Sequence, residues 1–226
     1  MGRVEKGSEQ ISSGWDFHTH RPDGPRSIVN RTWENPPESG YFSLGLHPWF
    51  LDKDWELAFD LVRFQARQNE RVLAIGECGF DRLKGPYSSI QKAAFRAQAQ
   101  LATELGIPLM LHCVKGHDLL LEFLRSSADP PSIVWHGWNL RPELAVSLLP
   151  FPVYFSFGRH LAIPDSNAGQ SLRQFPCDRI FFETDDSDVE IDTVYQSASL
   201  ILGRSTEDLA KQVISNWNKI SKRKIK

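Results

Sequence analysis

The chain has 226 residues, 41% hydrophobic and 24% charged, with a formal net charge of -2. That length suffices for one sizeable core, and the charge balance excludes a protein whose whole surface attracts anions, leaving nucleic acid only a local basic patch. No stretch approaches the roughly 20 apolar residues that cross a bilayer, and the opening MGRVEKGSEQISSGW lacks the apolar centre of a secretory signal, which points to a cytoplasmic protein.

Residues 1–13 read as a flexible extension ahead of one domain that fills the chain, 1–226. Strand-type apolar runs then follow in order: GWDFHTH, SIVNRTW, YFSLGLHP, VLAIGECG, PLMLHCV, SIVWHGW, VYFSFGR and RIFFETD. Most are near-continuous in apolar residues before a polar end, as in parallel strands buried on both faces. From residue 54 onward helical segments separate them. DWELAFDLVRFQARQN places Leu57, Leu61 and Phe64 on one face, with Asp54 as N-cap. SSIQKAAFRAQAQLATELG places Ile90, Ala94, Phe95, Ala97 and Leu101 together and stops at Gly106. Shorter helices follow residues 116, 140 and 165. The chain ends in IDTVYQSASLIL, TEDLAKQVISNWNKI (capped by Thr206) and the basic tail SKRKIK.

Alternating strands and helices select the α/β class, and eight strands favour a closed TIM-like (β/α) barrel. It is a truncated one, because RPDGPR and ENPPESG, the links between the first three strands, are too short for helices. A parallel crossover ordinarily takes a dozen or more residues, so the second strand, residues 27–33, is expected to run antiparallel between the first and third.

Metal-type residues sit at the strand ends, where barrel enzymes carry their sites. His18 and His20, two apart on one strand, point to the same side and form a bidentate clip. Glu77 follows VLAIG, His112 follows PLML, His136 follows SIVW and Asp185 closes RIFFETD. A lone H-x-H is a weak signal, but five strands ending this way define a metal-binding mouth. His47 ends the third strand as a substrate contact or a structural residue beside Pro48, whereas His117 and His160 are not ligands. Cys78 and Cys113 each follow a proposed ligand and should face away from the metals. With Cys177 they form no C-x-x-C pair, and they read as small buried residues.

In this order the motifs DFHTH, GLHP, GECGFD, QKAAFRAQ, LGIPLMLHC, WHGW and FFETDDS resemble those of the TatD family of metal-dependent hydrolases, over nearly the whole chain. The resemblance implies a hydrolase of ester bonds, a phosphodiesterase or deoxyribonuclease, with two divalent ions (Zn²⁺, Mn²⁺ or Mg²⁺). It implies His18, His20, Glu77 and Asp185 around one ion, and Glu77, His112 and His136 around the other. Glu77 is then the bridge, and Asp185 and Glu77 are the catalytic carboxylates. Lys115 stands near a family arginine as a substrate contact, and the substrate is a phosphoester such as single-stranded DNA ends, with no membrane partner. Trp49, Phe50, Phe80 and Trp138 are aromatics near the strand ends that could stack bases, although rim packing suits Phe80 better. The alternatives are a small-molecule amide or ester hydrolase and a catalytically silent binding protein on the same scaffold. The chain departs from the family in its short links after the first, second and eighth strands, which predicts an open mouth.

Overall fold

The computed structural model describes residues 14–21 and 24–226; the expected N-terminal extension, residues 1–13, lies outside them. The eight strands are β1 (Asp16–Thr19), β2 (Ser27–Arg31), β3 (Tyr41–Leu44), β4 (Val72–Asp81), β5 (Leu109–Val114), β6 (Ile133–Trp135), β7 (Val153–Phe157) and β8 (Ile180–Phe182). They form one sheet in sequential order, and every neighbouring pair is parallel. The ring closes through a parallel bridge between Thr19 and Asp185, where the Asp185 N–H donates to the His18 carbonyl at 2.9 Å and the His20 N–H to the Asp185 carbonyl at 3.1 Å. The result is a TIM-like barrel.

The antiparallel orientation expected for β2 is wrong. Asp16 pairs with Ser27, and Ile28 through Arg31 pair in step with Tyr41 through Leu44, all in parallel. The reason lies in strand length. β1 has only 4 residues, so the chain need return only about 13 Å, a distance the few residues between the strands can span. The usual minimum for a crossover assumes a helix packed on the sheet, and none is needed here. The second link turns at Thr32–Asn35 and is held at Pro37 and Gly40, whose carbonyls accept from the Arg71 guanidinium. As expected, no helix lies between the first three strands among the described residues.

Among the described residues seven α-helices follow: α1 (Trp55–Gln68), α2 (Ser88–Leu105), α3 (His117–Ser126), α4 (Pro142–Val146), α5 (Asn167–Gln174), α6 (Ile191–Leu202) and α7 (Thr206–Ile220). Of its predicted face α2 buries Ala94, Phe95 and Leu101 and leaves Ile90 and Ala97 half-buried, and it ends at left-handed Gly106. In α1 the other stripe wins: Phe59, Val62 and Ala66 are buried, while Leu57, Leu61 and Phe64 face outward. Both stripes have helical spacing, so periodicity could not choose between them. Asp54 stands at the N-cap of α1 without a side-chain capping bond, and the cap of α7 is Ser205 rather than Thr206, its hydroxyl accepting from the Asp208 N–H at 3.1 Å.

The basic tail is part of the packing under the barrel. Arg223 donates to the carbonyls of Ala66, Asn69 and Val72, Ile225 is buried, and the Trp15 indole donates to the Lys226 carbonyl at 2.9 Å.

The two faces of α1 give a direct test by denaturant unfolding. Phe59→Ala is expected to cost about 3–5 kcal/mol, and Leu57→Ala less than about 0.5 kcal/mol. Equal losses would mean that the outward face is covered in solution.

Candidate metal centre

Glu77 is the centre of the mouth. It lies on β4, which is buried along its whole length, and only 4% of the residue is exposed. Its Oε1 faces His136 Nε2 at 2.8 Å, His112 Nδ1 at 2.9 Å and His47 Nε2 at 3.1 Å. Its Oε2 faces His20 Nε2 at 3.4 Å and His18 Nε2 at 3.5 Å. Asp185 Oδ1 completes the far side, 3.4 Å from His18 Nε2 and 3.5 Å from His20 Nε2. All six residues proposed from the sequence as ligands therefore converge, and the two oxygens of Glu77 look toward different histidines.

Neighbouring groups select the imidazole edges. His112 Nε2 meets Asp81 Oδ2 at 3.1 Å, so that nitrogen carries hydrogen, while Nδ1 donates to Glu77 when protonated and is free for an ion when it is not. His47 Nδ1 accepts from the Trp49 N–H, which puts the hydrogen of the neutral ring on Nε2, toward Glu77. In that tautomer His47 is a donor to the carboxylate and not a ligand. Both ring nitrogens of His18 and of His136 are buried and make no well-aligned hydrogen bond among the described residues, although the Nε2 of each lies close to a Glu77 oxygen. Buried imidazole nitrogens are costly without partners, and a divalent cation fits this donor set of imidazoles and carboxylates. Three groups of possible ligand atoms, each within 4.8 Å of one another, are His18, His136 and Asp185; His18, His20 and Glu77; and His47, Glu77 and His112. The grouping overlaps the expected two-ion division, and His47 enters it by distance alone, since its Nε2 hydrogen points at Glu77.

Electrostatics follow this geometry. Burial alone would push the His18 imidazole down, but Asp185 and Glu77 beside it hold it well above the usual histidine range. His112 is likewise raised against burial by Glu77 and Asp81. Glu77 is held well below the carboxylate range, since His136, His112 and His18 outweigh its burial, and Asp185 is lowered against burial chiefly by His18. Beneath them Glu183, fully buried, is pushed up to about 7 by burial, and Asp16 to about 6.

Several of these residues escaped sequence reasoning. Asn30 of β2 donates to Glu77 Oε2 at 3.1 Å and accepts from the Glu77 N–H at 3.1 Å. It is a polar residue at a strand end, the same signal that exposed the ligands. Asp81 holds His112, the Trp49 indole at 2.6 Å, and the N–H groups of Leu83 and Lys84. The Asp16 carboxylate accepts from the Thr184 hydroxyl at 2.6 Å and backbone N–H at 3.1 Å, fixing the segment that carries Asp185. Glu183 accepts from the Gly137 N–H, securing the turn after His136.

The Gln91–Phe95–Gln98 spacing of α2 also gains a cause. Gln91 binds both the N–H and the carbonyl of Asp81, and Gln98 binds both those of Leu46. The two amides tie the end of β4 at Asp81 and the loop bearing His47 to one helix. Gly45 permits this approach, because a Cβ there would lie 2.6 Å from Gly76 Cα.

A cleft of about 590 Å³ opens beside His112, His136 and Asp185. Lys115, Arg159 and His160 line it, opposite an apolar wall containing Trp135, Leu140 and Leu144. On the other flank Trp49 and Phe50 are exposed at 37% and 76%, with Lys84 Nζ 3.6 Å from the Trp49 ring centre. Phe80 packs on Phe95 as expected, but Trp138 is also buried, against Trp135 and Phe155, and cannot stack on a substrate. His117 meets the Leu144 carbonyl at 3.1 Å, away from the ligand groups. The cysteines join none of those groups either. Cys78 is buried in the core, and burial pushes the Cys113 thiol up to about 12.

A parallel barrel with a histidine–carboxylate cluster at its mouth defines the class of barrel proteins with a metal-binding site. Residues 26–221 match the family described as TatD related DNase, and the chain belongs to that family. The 3'-5' ssDNA/RNA exonuclease TatD of Musicola paradisiaca (strain Ech703) is 32% identical over 162 residues, 69% of this chain and 60% of that protein. Its counterpart in Escherichia coli (strain K12) is 27% identical over 154 residues, 65% of this chain and 58% of that protein. The matched region thus spans less than two thirds of these relatives. The crystal structure of YjjV, a TatD homolog from Escherichia coli K12, superposes with a TM-score of 0.79 and 20% identity, covering 94% of this chain and 99% of that one.

The charge pattern fixes a pH dependence for metal-free protein. Glu77 and Asp185, lowered from 4.5 and 3.8, contribute stability present above those values and lost as pH falls through the lowered ones. His18 and His112, raised from 6.5, contribute stability present below 6.5 and lost as pH rises through the raised values. Asp16 and Glu183, raised by burial, also favour the folded state less as pH rises. Chelator-treated protein should therefore melt highest between about pH 4.5 and 6.5. A melting maximum on the alkaline side would contradict this charge arrangement.

Proposed function

We propose that the chain is a metal-dependent hydrolase of phosphoester bonds that holds two divalent ions and acts on single-stranded nucleic-acid ends. The observation that carries this reading is Glu77, whose two oxygens face separate sets of imidazoles, as a bridging carboxylate between two ions must. His18, His20 and Asp185 would hold one ion with Glu77, and His112 and His136 the other. Hard carboxylates with imidazoles suit Zn²⁺, Mn²⁺ or Mg²⁺. When bound, such ions supply Lewis acidity and neutralise charge on phosphoryl oxygens.

The protein's own groups supply the rest. The Asp185 side chain is 32% exposed and lines the cleft, so it can orient an attacking water and accept its proton, whereas Glu77 is enclosed. His47 points its Nε2 hydrogen at Glu77 and supports that carboxylate. Lys115 and Arg159 can contact phosphate at the cleft wall, and Trp49 and Phe50 offer faces on which unpaired bases stack. The curated relatives' name, 3'-5' ssDNA/RNA exonuclease, supports the same substrate class. The short link after β8 is pinned by Arg21, which donates to the Ser187 and Val189 carbonyls and to Glu190. This supports an open mouth with few contacts remote from the scissile bond, and hence weak KM and little base selectivity. A second reading, hydrolysis of a small-molecule ester or amide, draws on the apolar wall at Leu140 and Leu144.

Purified protein loaded with Mn²⁺, Zn²⁺ or Mg²⁺ should cleave bis-p-nitrophenyl phosphate and short single strands, more slowly as salt rises. Glu77→Gln should weaken both ions by elemental analysis. Asp185→Asn should lower kcat by about 10²–10⁴-fold while keeping the fold. Unchanged metal content in Glu77→Gln, or full turnover in Asp185→Asn, would refute these roles. Cleavage of esters or amides but no phosphoester would favour the second reading.

A further inference from the structure

One planar side chain grips Glu77 at both of its ends. Asn30 Oδ1 accepts from the Glu77 main-chain N–H at 3.1 Å and from the Ser43 hydroxyl at 3.3 Å. Two donors converge on that atom, so it must be the oxygen, and the amide orientation is fixed by its surroundings. Asn30 Nδ2 is therefore the donor that meets Glu77 Oε2 at 3.1 Å. Amide, backbone and carboxylate close a ring that leaves the long Glu77 side chain little torsional freedom. The parallel course of β2 makes this possible, since it pairs Asn30 with Ser43 in register.

The pull on the carboxylate is uneven. Oε1 lies 2.8–3.1 Å from His136, His112 and His47, whereas Oε2 lies 3.4 Å from His20 and 3.5 Å from His18. Within hydrogen-bond distance Oε2 has the Asn30 amide. We propose that Asn30 is a positioning residue that fixes Glu77 as an asymmetric bridge, holding Oε2 toward the His18–His20–Asp185 side and leaving Oε1 to the His112–His136 side. The inference rests on the two-ion reading above. Asn30 touches neither substrate nor ion in this role. It acts through Glu77, as groups behind a ligand commonly orient it and tune the affinity of the site.

The test uses the full chain, stripped by chelator and titrated calorimetrically with Mn²⁺, with Co²⁺ absorption spectra in parallel. Wild-type protein is expected to bind two ions. Asn30→Ala should weaken one of the two by about tenfold or more, leave the other nearly unchanged, and alter the Co²⁺ spectrum. Its kcat should fall while KM holds. Asn30→Asp keeps the shape and the acceptor but sets a second carboxylate oxygen against Oε2, and should also change the ratio of the two affinities. It serves if the alanine variant does not fold. Ser43→Ala, which removes only a donor to Asn30, should have the smaller effect. Unchanged affinities and spectra in both Asn30 variants, even with a lower melting temperature of the stripped protein, would overturn the proposal. If wild-type protein binds a single ion, the two-ion reading falls, and the clamp is then decided by whether Asn30→Ala weakens that one site.

Discussion

A buried carboxylate charge organises this protein. Glu77 is almost wholly enclosed, and an ionised carboxylate taken from water is very costly unless charges and donors surround it. Here they come from all around the ring: Asn30 from β2, His47 from just beyond β3, His112 from β5, His136 from just beyond β6, and His18 with His20 from the first strand segment. Each of these residues is short or stiff and leaves from a strand end. The geometry of the barrel, more than any loop, therefore sets the site.

The barrel and the site also share bonds. The seam between the first and last strands is made by the backbone of His18, His20 and Asp185. Asp185 sits at a φ of 54°, a left-handed conformation that a non-glycine residue rarely adopts. Its N–H and its carbonyl are both held by the first strand segment, so closing the ring imposes that conformation and aims the side chain at the histidines. Asp16, through Thr184, secures the same segment from below.

Around this fixed centre the two flanks of the mouth differ. The cleft beside β5–β7 carries cationic groups and an apolar wall, and the turn at Pro48–Phe50 carries exposed aromatics. The second flank is coupled to the site, because Asp81 binds both the Trp49 indole and His112. The two flanks thus stand on either side of the six residues that converge at Glu77 and Asp185. Among the described residues no helix is long and apolar enough to cross a membrane.

The convergence of the six residues expected as ligands was legible in the sequence because each is a polar residue closing an apolar strand run. The eight strands, the missing early helices and the end of α2 at Gly106 were legible for the same kind of local reason. Three things were not. The direction of β2 depends on how far its link must travel, which depends on the length of β1. The buried stripe of α1 depends on what it packs against, since Leu57–Leu61–Phe64 and Phe59–Val62–Ala66 have equal helical claim. The grip of Asn30 on Glu77 and of Asp81 on His112 depends on strand register, which brings residues 47 and 31 positions apart into hydrogen-bond contact. Chain periodicity specifies which side chains leave a strand toward the mouth. Only the closed ring, by fixing distances between strands, decides which of them meet.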